Sequence, residues 1–312
     1  MRVATASATI ERQIWSRFRA PSYWVGVVAP VFLISLLLFQ AGRATRNPAM
    51  TMFLAVLSAL WIGGSGCVRE IVDERRLIQR DPHVSLFAYA IAKILHAALM
   101  SAGQSFVLAM FVRFSNVVFL PLYILWPILF LTTLAGCLMA LVLSALCDEA
   151  ATALAWFPLM LVPQVVFGGF LFPFGATHPF TVNVKTAHVI EMPPELVRTP
   201  VNSGALRVAG ALAVSRWAFE GYAAQVYGQD LSDQDALLEA VKVNALVPVT
   251  LTDAPIGDRL YEHFKAIERG VQESPPSLDA NGGRYLGVLV LFVVIEGALL
   301  VVILPIRDPR RA

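Results

Sequence analysis

Several residue groups in this chain are of types that could do chemistry. Gly63-Gly64-Ser65-Gly66 sets a serine among small residues, and His96 is the one histidine inside an apolar stretch. A nucleophilic serine needs such a base within reach. Immediately downstream, Arg69, Glu70, Asp73, Glu74, Arg75, Arg76, Arg80 and Asp81 place eight charges in thirteen residues, four of each sign. On composition alone such a segment reads as a solvated loop with charges that orient the flanking spans. Glu296 stands alone in a long apolar run, and Gln104 and Gln164 are polar residues in other such runs. A lone charge at that depth costs about 2.5–3.5 kcal/mol on insertion scales, so it faces a partner, a wet cavity or a subunit seam, or is protonated. A structural hydrogen bond to Gln104, Gln164 or the backbone is the alternative. Arg216 and Glu220 stand four apart around Trp217 and could pair on one helix face. Cys67, Cys137 and Cys147 all lie in or beside apolar runs, without metal-ligand spacing, and read as packing residues. No metal site and no complete catalytic set are expected.

The elements that must position these residues are membrane helices. Of 312 residues 57% are hydrophobic and mean hydropathy is +0.66, too apolar for a water-soluble fold to cover. The net charge is +2, and no basic stripe for nucleic acid exists outside the flanks of apolar runs. Six stretches approach the roughly 20 apolar residues that a bilayer core requires: 23–40, 50–68, 85–112, 117–147, 152–174 and 285–305. The third carries Lys93, His96 and Gln104; the fourth has Pro121 and Pro127 near its start. The expected fold is therefore all-α and polytopic. About twenty polar residues precede the first stretch, which reads as a membrane helix rather than a cleaved leader.

Orientation follows from Lys and Arg in short flanks. Arg2, Arg12, Arg17 and Arg19 precede the first span; Arg69, Arg75, Arg76 and Arg80 follow the second; Arg307, Arg310 and Arg311 follow the last. The opposite side has Arg43, Arg46 and Arg113. Both termini are expected in the cytoplasm. The expected division is a cytoplasmic interfacial helix at 1–22, five spans over 23–175 with a charged helix at about 69–82, an extracytoplasmic segment at 176–283, and the sixth span with a cytoplasmic tail at 284–312. The outer segment holds eight basic and thirteen acidic residues. Ser232 with Asp235 reads as a capping box opening a helix to about Leu246, and Asp253-Ala254-Pro255 as the start of another to about Val271. The stretch 205–227 is small and apolar but carries charges and aromatics, which suits an interfacial or re-entrant helix; a buried helix of the outer domain is the alternative.

Within the charged segment, Ile71, Val72, Leu77 and Ile78 recur at helical spacing, and Pro82 ends the run, so it reads as a short amphipathic helix. Arg69 and Asp73 can pair at i,i+4. Glu74 meets Ile78 at that spacing, which leaves Glu74 and Arg80 for a partner. A solvated loop is the competing reading.

Four places in the chain resemble the permeases of type-2 ABC exporters, especially the G-subfamily-like group. Arg69-Glu70-Ile71 with Glu74-Arg75 and Arg80-Asp81, after Gly63-Gly64-Ser65-Gly66, is similar to the family's second-span end and coupling helix. Ala88-Tyr89-Ala90-Ile91-Ala92-Lys93 resembles its third-span entry. Pro163-Gln164 with Phe167-Gly168 resembles its fifth span, and Ser215-Arg216-Trp217 with Glu220-Gly221 the motif before its last span. The resemblance implies two permeases, each docked through residues 70–80 on an ABC ATPase, with a second copy or paralogue completing the path. It implies outward movement of a lipid-like, hydrophobic or polymeric substrate. The chain has no G-x-x-x-x-G-K-[ST] loop, so ATP is expected on the partner subunit and no cofactor on this chain. No fused ATPase is visible, and the outer segment lacks cysteines and glycosylation acceptors, which suggests a bacterial cytoplasmic membrane. Two other readings stay open. The G-x-S-G pattern resembles that of rhomboid-like intramembrane serine proteases, although small residues at a span end equally make a close-packing patch. A non-transporting tether or sensor built around the outer segment is the other.

Overall fold

The structure is a computed structural model that describes residues 21–45, 48–80, 85–115, 118, 120–168, 204–227 and 280–306. A chain this apolar must satisfy its backbone internally, and helices do so within each segment. Among the described residues all regular structure is helical: α1 Pro21–Thr45, α2 Pro48–Cys67, α3 Glu70–Arg80, α4 Leu86–Phe114, α5 Leu122–Leu146, α6 Ala150–Val166, α7 Gly204–Ala211, α8 Val214–Tyr227 and α9 Ala280–Ile306. Each of the six apolar stretches contains a helix. Among the described residues four runs are long and apolar enough to cross a membrane: Met50–Arg75, Leu86–Phe114, Leu122–Leu146 and Gly283–Ile306. Val28–Ala44 and Ala150–Val166 are shorter apolar helices.

Local chemistry sets the boundaries. Ser85 caps α4 by accepting from Ala88 N. The helix expected from residue 117 begins only at Leu122, because Pro121 occupies the N-cap. α6 ends at Val166, where Phe167 leaves helical geometry. The N-terminal interfacial helix, Asp81, and the helices expected around Ser232–Leu246 and Asp253–Val271 lie outside the described residues, as do the basic residues of both termini.

The core is centred on α2 and α5, which pack together more extensively than any other pair. Of the most apolar window of α5, 78% is buried inside the protein, against 17% for α9, so α9 is peripheral. The α2–α5 seam is close because it is built on glycine. A Cβ on Gly136 would lie 2.6 Å from the Leu60 carbonyl oxygen, and one on Gly63 would clash with the Thr133 carbonyl. Lipid provides no hydrophobic drive between helices, so such close backbone packing is what holds them. Thr132 and Thr133 sit in this seam without cost, since their hydroxyls donate to the carbonyls of Ile128 and Leu129 at 2.7 Å.

The same seam corrects the reading of the cysteines as independent packing residues. Cys67 and Cys137 form a disulfide across it, with Cα atoms 5.6 Å apart, and Cys147 is free and buried. The approach comes from the glycines on two helices distant in sequence, which spacing arithmetic does not reveal.

Candidate functional site

At the end of α2 the chain stays almost helical. Val68 N donates to Gly64 O at 3.0 Å, and a two-residue turn leads into α3. The first amides of a helix lack intrahelical acceptors. Here Ser144 of α5 supplies one, its Oγ accepting from Ile71 N and Val72 N at 3.2 Å each. It acts as an N-cap contributed by a different helix. Glu70 and Asp73 in that first turn complement the helix dipole.

The charges of α3 divide by face. Arg69 and Asp73 are exposed, whereas Glu70, Ile71 and Glu74 are buried. Residues 70 and 74 are one turn apart, and so are Tyr89 and Lys93 on α4. The two pairs interlock. Lys93 Nζ lies 3.0 Å from Glu70 Oε2 and 3.0 Å from Glu74 Oε1. Tyr89 donates its hydroxyl proton to Glu74 Oε2 at 2.7 Å. His96 Nε2 stands 3.8 Å from Glu70 Oε1. The side chains of Lys93, Glu70 and Glu74 are each at most 10% exposed. Two carboxylates thus share one ammonium, in a setting where charge-assisted bonds are strong and an unpaired charge is costly. Arg75 fastens the other flank, donating to Ala145 O at 2.8 Å and to Asp148 Oδ1 at 2.9 Å.

This arrangement corrects two expectations. Glu74 is buried and bonded rather than left for a partner, because Tyr89 and Lys93 of the next span claim it. Arg69 and Asp73 do not pair through their side chains; Asp73 N bonds only the Arg69 carbonyl, at 3.0 Å. Arg76 and Arg80 lie on α3, but their side chains are outside the described residues. The sequence reading placed Tyr89 and Lys93 in the third-span entry motif without seeing their contact with α3, and it did not single out Ser144. The available signal was the matched i,i+4 spacing of Tyr89/Lys93 and Glu70/Glu74, with the cation seemingly misplaced in an apolar span.

The small-residue serine motif serves packing. Ser65 is exposed and its hydroxyl donates to Ile62 O of its own helix at 3.1 Å, while His96 faces Glu70. Gly63 and Gly64 beside it make the close contacts with α5 and with Phe157 of α6.

A second cluster lies at the opposite end of the helices. In α8, Arg216 Nε donates to Glu220 Oε1 at 2.7 Å, as the four-residue spacing predicts. Burial pushes the Glu220 carboxyl above its ordinary range, with the Arg216 guanidinium pulling the other way. Trp217 Nε1 donates to Ala211 O at 2.9 Å and so closes the turn from α7. Ser215 clamps α8 to the end of α6: its amide donates to Gln164 Oε1 at 3.1 Å, and its hydroxyl donates to the Gln164 carbonyl at 2.6 Å. Phe219 meets Phe53 of α2 edge-on, with centroids 5.7 Å apart. The segment 205–227 is therefore two helices, of which α8 is docked into the bundle's end. Gln104 is half-buried on α4. Among the described residues Gln164 bonds Ser215 and not Glu296, whose Oε2 accepts no hydrogen bond.

No group of His, Cys, Asp and Glu suited to a metal occurs among the described residues. A bundle of long apolar helices with an amphipathic charged elbow locked beneath it defines a multi-pass membrane protein. The family of ABC-2 type transporters matches residues 6–185, more than half of the chain. The chain belongs to that family, whose members are membrane components of ABC transporters and typically work with an ATPase subunit. No curated protein matches the chain.

Proposed function

We propose that the chain is the permease subunit of an exporter that moves a lipid-like, hydrophobic or polymeric substrate outward. In this reading it crosses the membrane six times with both termini in the cytoplasm. A separate ATPase docks on α3, and a second permease copy or paralogue completes the path. The observation that carries the reading is the double ion contact of Lys93 with Glu70 and Glu74. It joins α3 to α4, and Ser144 and Arg75 join α3 to α5. A push on α3 therefore displaces two long helices together rather than bending a loop. Arg69 and Asp73 remain on the outer face, available to the ATPase. A bacterial cytoplasmic membrane suits the separate ATPase. The outer α7–α8 pair closes the far end, in keeping with a re-entrant hairpin at the headgroup level.

The test is charge reversal on the exposed face. Arg69→Glu with Asp73→Arg should weaken association with the ATPase subunit by about 1 kcal/mol, roughly fivefold in Kd, and lower transport per ATP hydrolysed. Thermal stability of the permease should not change. Unaltered ATPase association and coupled transport in proteoliposomes would reject the assignment of α3 as the docking element.

A further inference from the structure

Among the described residues, one half-buried carboxyl on α9 has a buried oxygen that accepts no hydrogen bond, Glu296 Oε2. Glu296 is the only charged residue between Arg284 and Arg307. It shares the packed face of α9 with Leu289, Val293 and Leu300, so it is directed toward α4 and α5 rather than outward. Its neighbour Gly297 lies against Ile94 of α4. Glu296 Oε2 is buried with no hydrogen-bond partner among the described residues. The cations of the neighbouring elements are committed or remote. Lys93 is held by Glu70 and Glu74, His96 of the same helix turns its Nε2 toward Glu70 at 3.8 Å, Arg216 is held by Glu220, Arg113 lies in the last turn of α4, and α5 carries no charged residue. An ionised carboxylate in such a place must be neutralised from outside this set, by a proton or by a bound cation. The helix that bears it is also the least embedded of the four long spans, with Val290, Ile295, Leu299 and Val302 open on the opposite face and its flank. A ligand that offers one positive charge and an apolar tail satisfies both features. Its headgroup neutralises Glu296 between α9 and α4, and its tail lies along the apolar surface of α9.

We infer that Glu296 is the anchor of a binding site for amphiphilic monocations that enter from the bilayer. As a substrate determinant this rests on the exporter reading; as a binding site it does not, and the test separates the two. The permease with its ATPase is reconstituted in nanodiscs and treated with dicyclohexylcarbodiimide. This reagent adds to a protonated carboxyl in apolar surroundings, and modification is read by mass spectrometry of the α9 peptide. Glu296 should be modified. Dodecyltrimethylammonium at about ten times its Kd should slow modification roughly tenfold, because the cation-paired carboxylate carries no proton. Dodecanol and dodecyl sulfate, with the same chain, should not protect. Glu296→Gln should abolish saturable binding of the ammonium probe while the purified complex keeps its size and yield. Equal protection by dodecanol, protection by none of the three, or no modification of Glu296 would each overturn the inference. Failure of the exporter reading would appear separately, as a chain without ATP-driven transport in which the ammonium still protects.

Discussion

Replacing Lys93 by methionine removes the ammonium and keeps most of the side-chain volume. Each Lys93–carboxylate contact spans about 3 Å. At an effective dielectric of about 20, each gives a gross attraction of about 5 kcal/mol, most of it offset by the cost of desolvating the charges. The variant keeps that cost and loses the attraction, since Glu70 and Glu74 stay buried one turn apart. Breaking a buried pair from one side typically costs about 3–5 kcal/mol. His96, at 3.8 Å from Glu70, is too far for a hydrogen bond and does not substitute. Lys93→Met should therefore unfold at clearly lower temperature in detergent, followed by tryptophan fluorescence. Adding Glu70→Gln and Glu74→Gln removes the stranded charges and should restore stability to within about 1–2 kcal/mol of the parent. Transport per ATP should stay impaired in the triple variant, because α3 has lost its ionic registration on α4. Lys93→Met unfolding within about 1 kcal/mol of the parent would refute the energetic reasoning. A stable triple variant with normal coupling would refute the mechanical one.

Three further outcomes are expected. Gly136→Val places carbon atoms against the Leu60 carbonyl and should destabilise the α2–α5 seam by about 1–3 kcal/mol or more, measured as lost yield and a lowered unfolding midpoint. Ser65→Ala should leave ATP-dependent transport unchanged, since the Ser65 hydroxyl bonds only its own helix; loss of activity without loss of protein would revive the serine chemistry. Glu220 has a folded-state pKa raised above 4.5 by burial. The unfolded carboxyl thus releases its proton first. The stability of α8 should be greatest below about pH 4.5 and fall as pH rises through the raised value. Hydrogen exchange of the α8 amides, corrected for intrinsic rates, should show that slope, and Glu220→Gln should flatten it.

The positions of the long apolar helices were legible because hydrocarbon length and apolar runs are one-dimensional properties. Residues 85–112 and 285–305 gave Leu86–Phe114 and Ala280–Ile306 with boundaries off by a few residues at most. The Arg216–Glu220 pair was legible for the same reason, being local to one helix. What the sequence hid were relations between helices. Glu74 read as free because its i+4 neighbour is Ile78, yet its partners come from α4, fifteen and nineteen residues away. Ser144 is an unremarkable serine until α5 is laid beside α3, seventy-three residues upstream of it. Cys67 and Cys137 meet across seventy residues only because Gly63 and Gly136 let two backbones touch. A lysine in an apolar span was visible throughout, but its meaning required knowing which helix passes in front of it.

The position of that lysine bears on why the site has charges at all. Apolar residues of similar volume would hold α3 to α4 as well or better, because the ions pay a desolvation cost that their attraction only partly returns. What apolar contacts do not provide is a single register: a greasy seam between two helices slides by fractions of a turn at little cost, especially where lipid competes equally for every apolar surface. Two carboxylates one turn apart, gripping one ammonium with a tyrosine hydroxyl on the second acid, have one good alignment. Sliding α3 by a turn would break one of the two contacts and leave a buried acid unpaired. In the coupling proposed above, the cluster would resist slippage in the one direction in which an elbow helix pushed by an ATPase would otherwise yield, and the push would pass to α4.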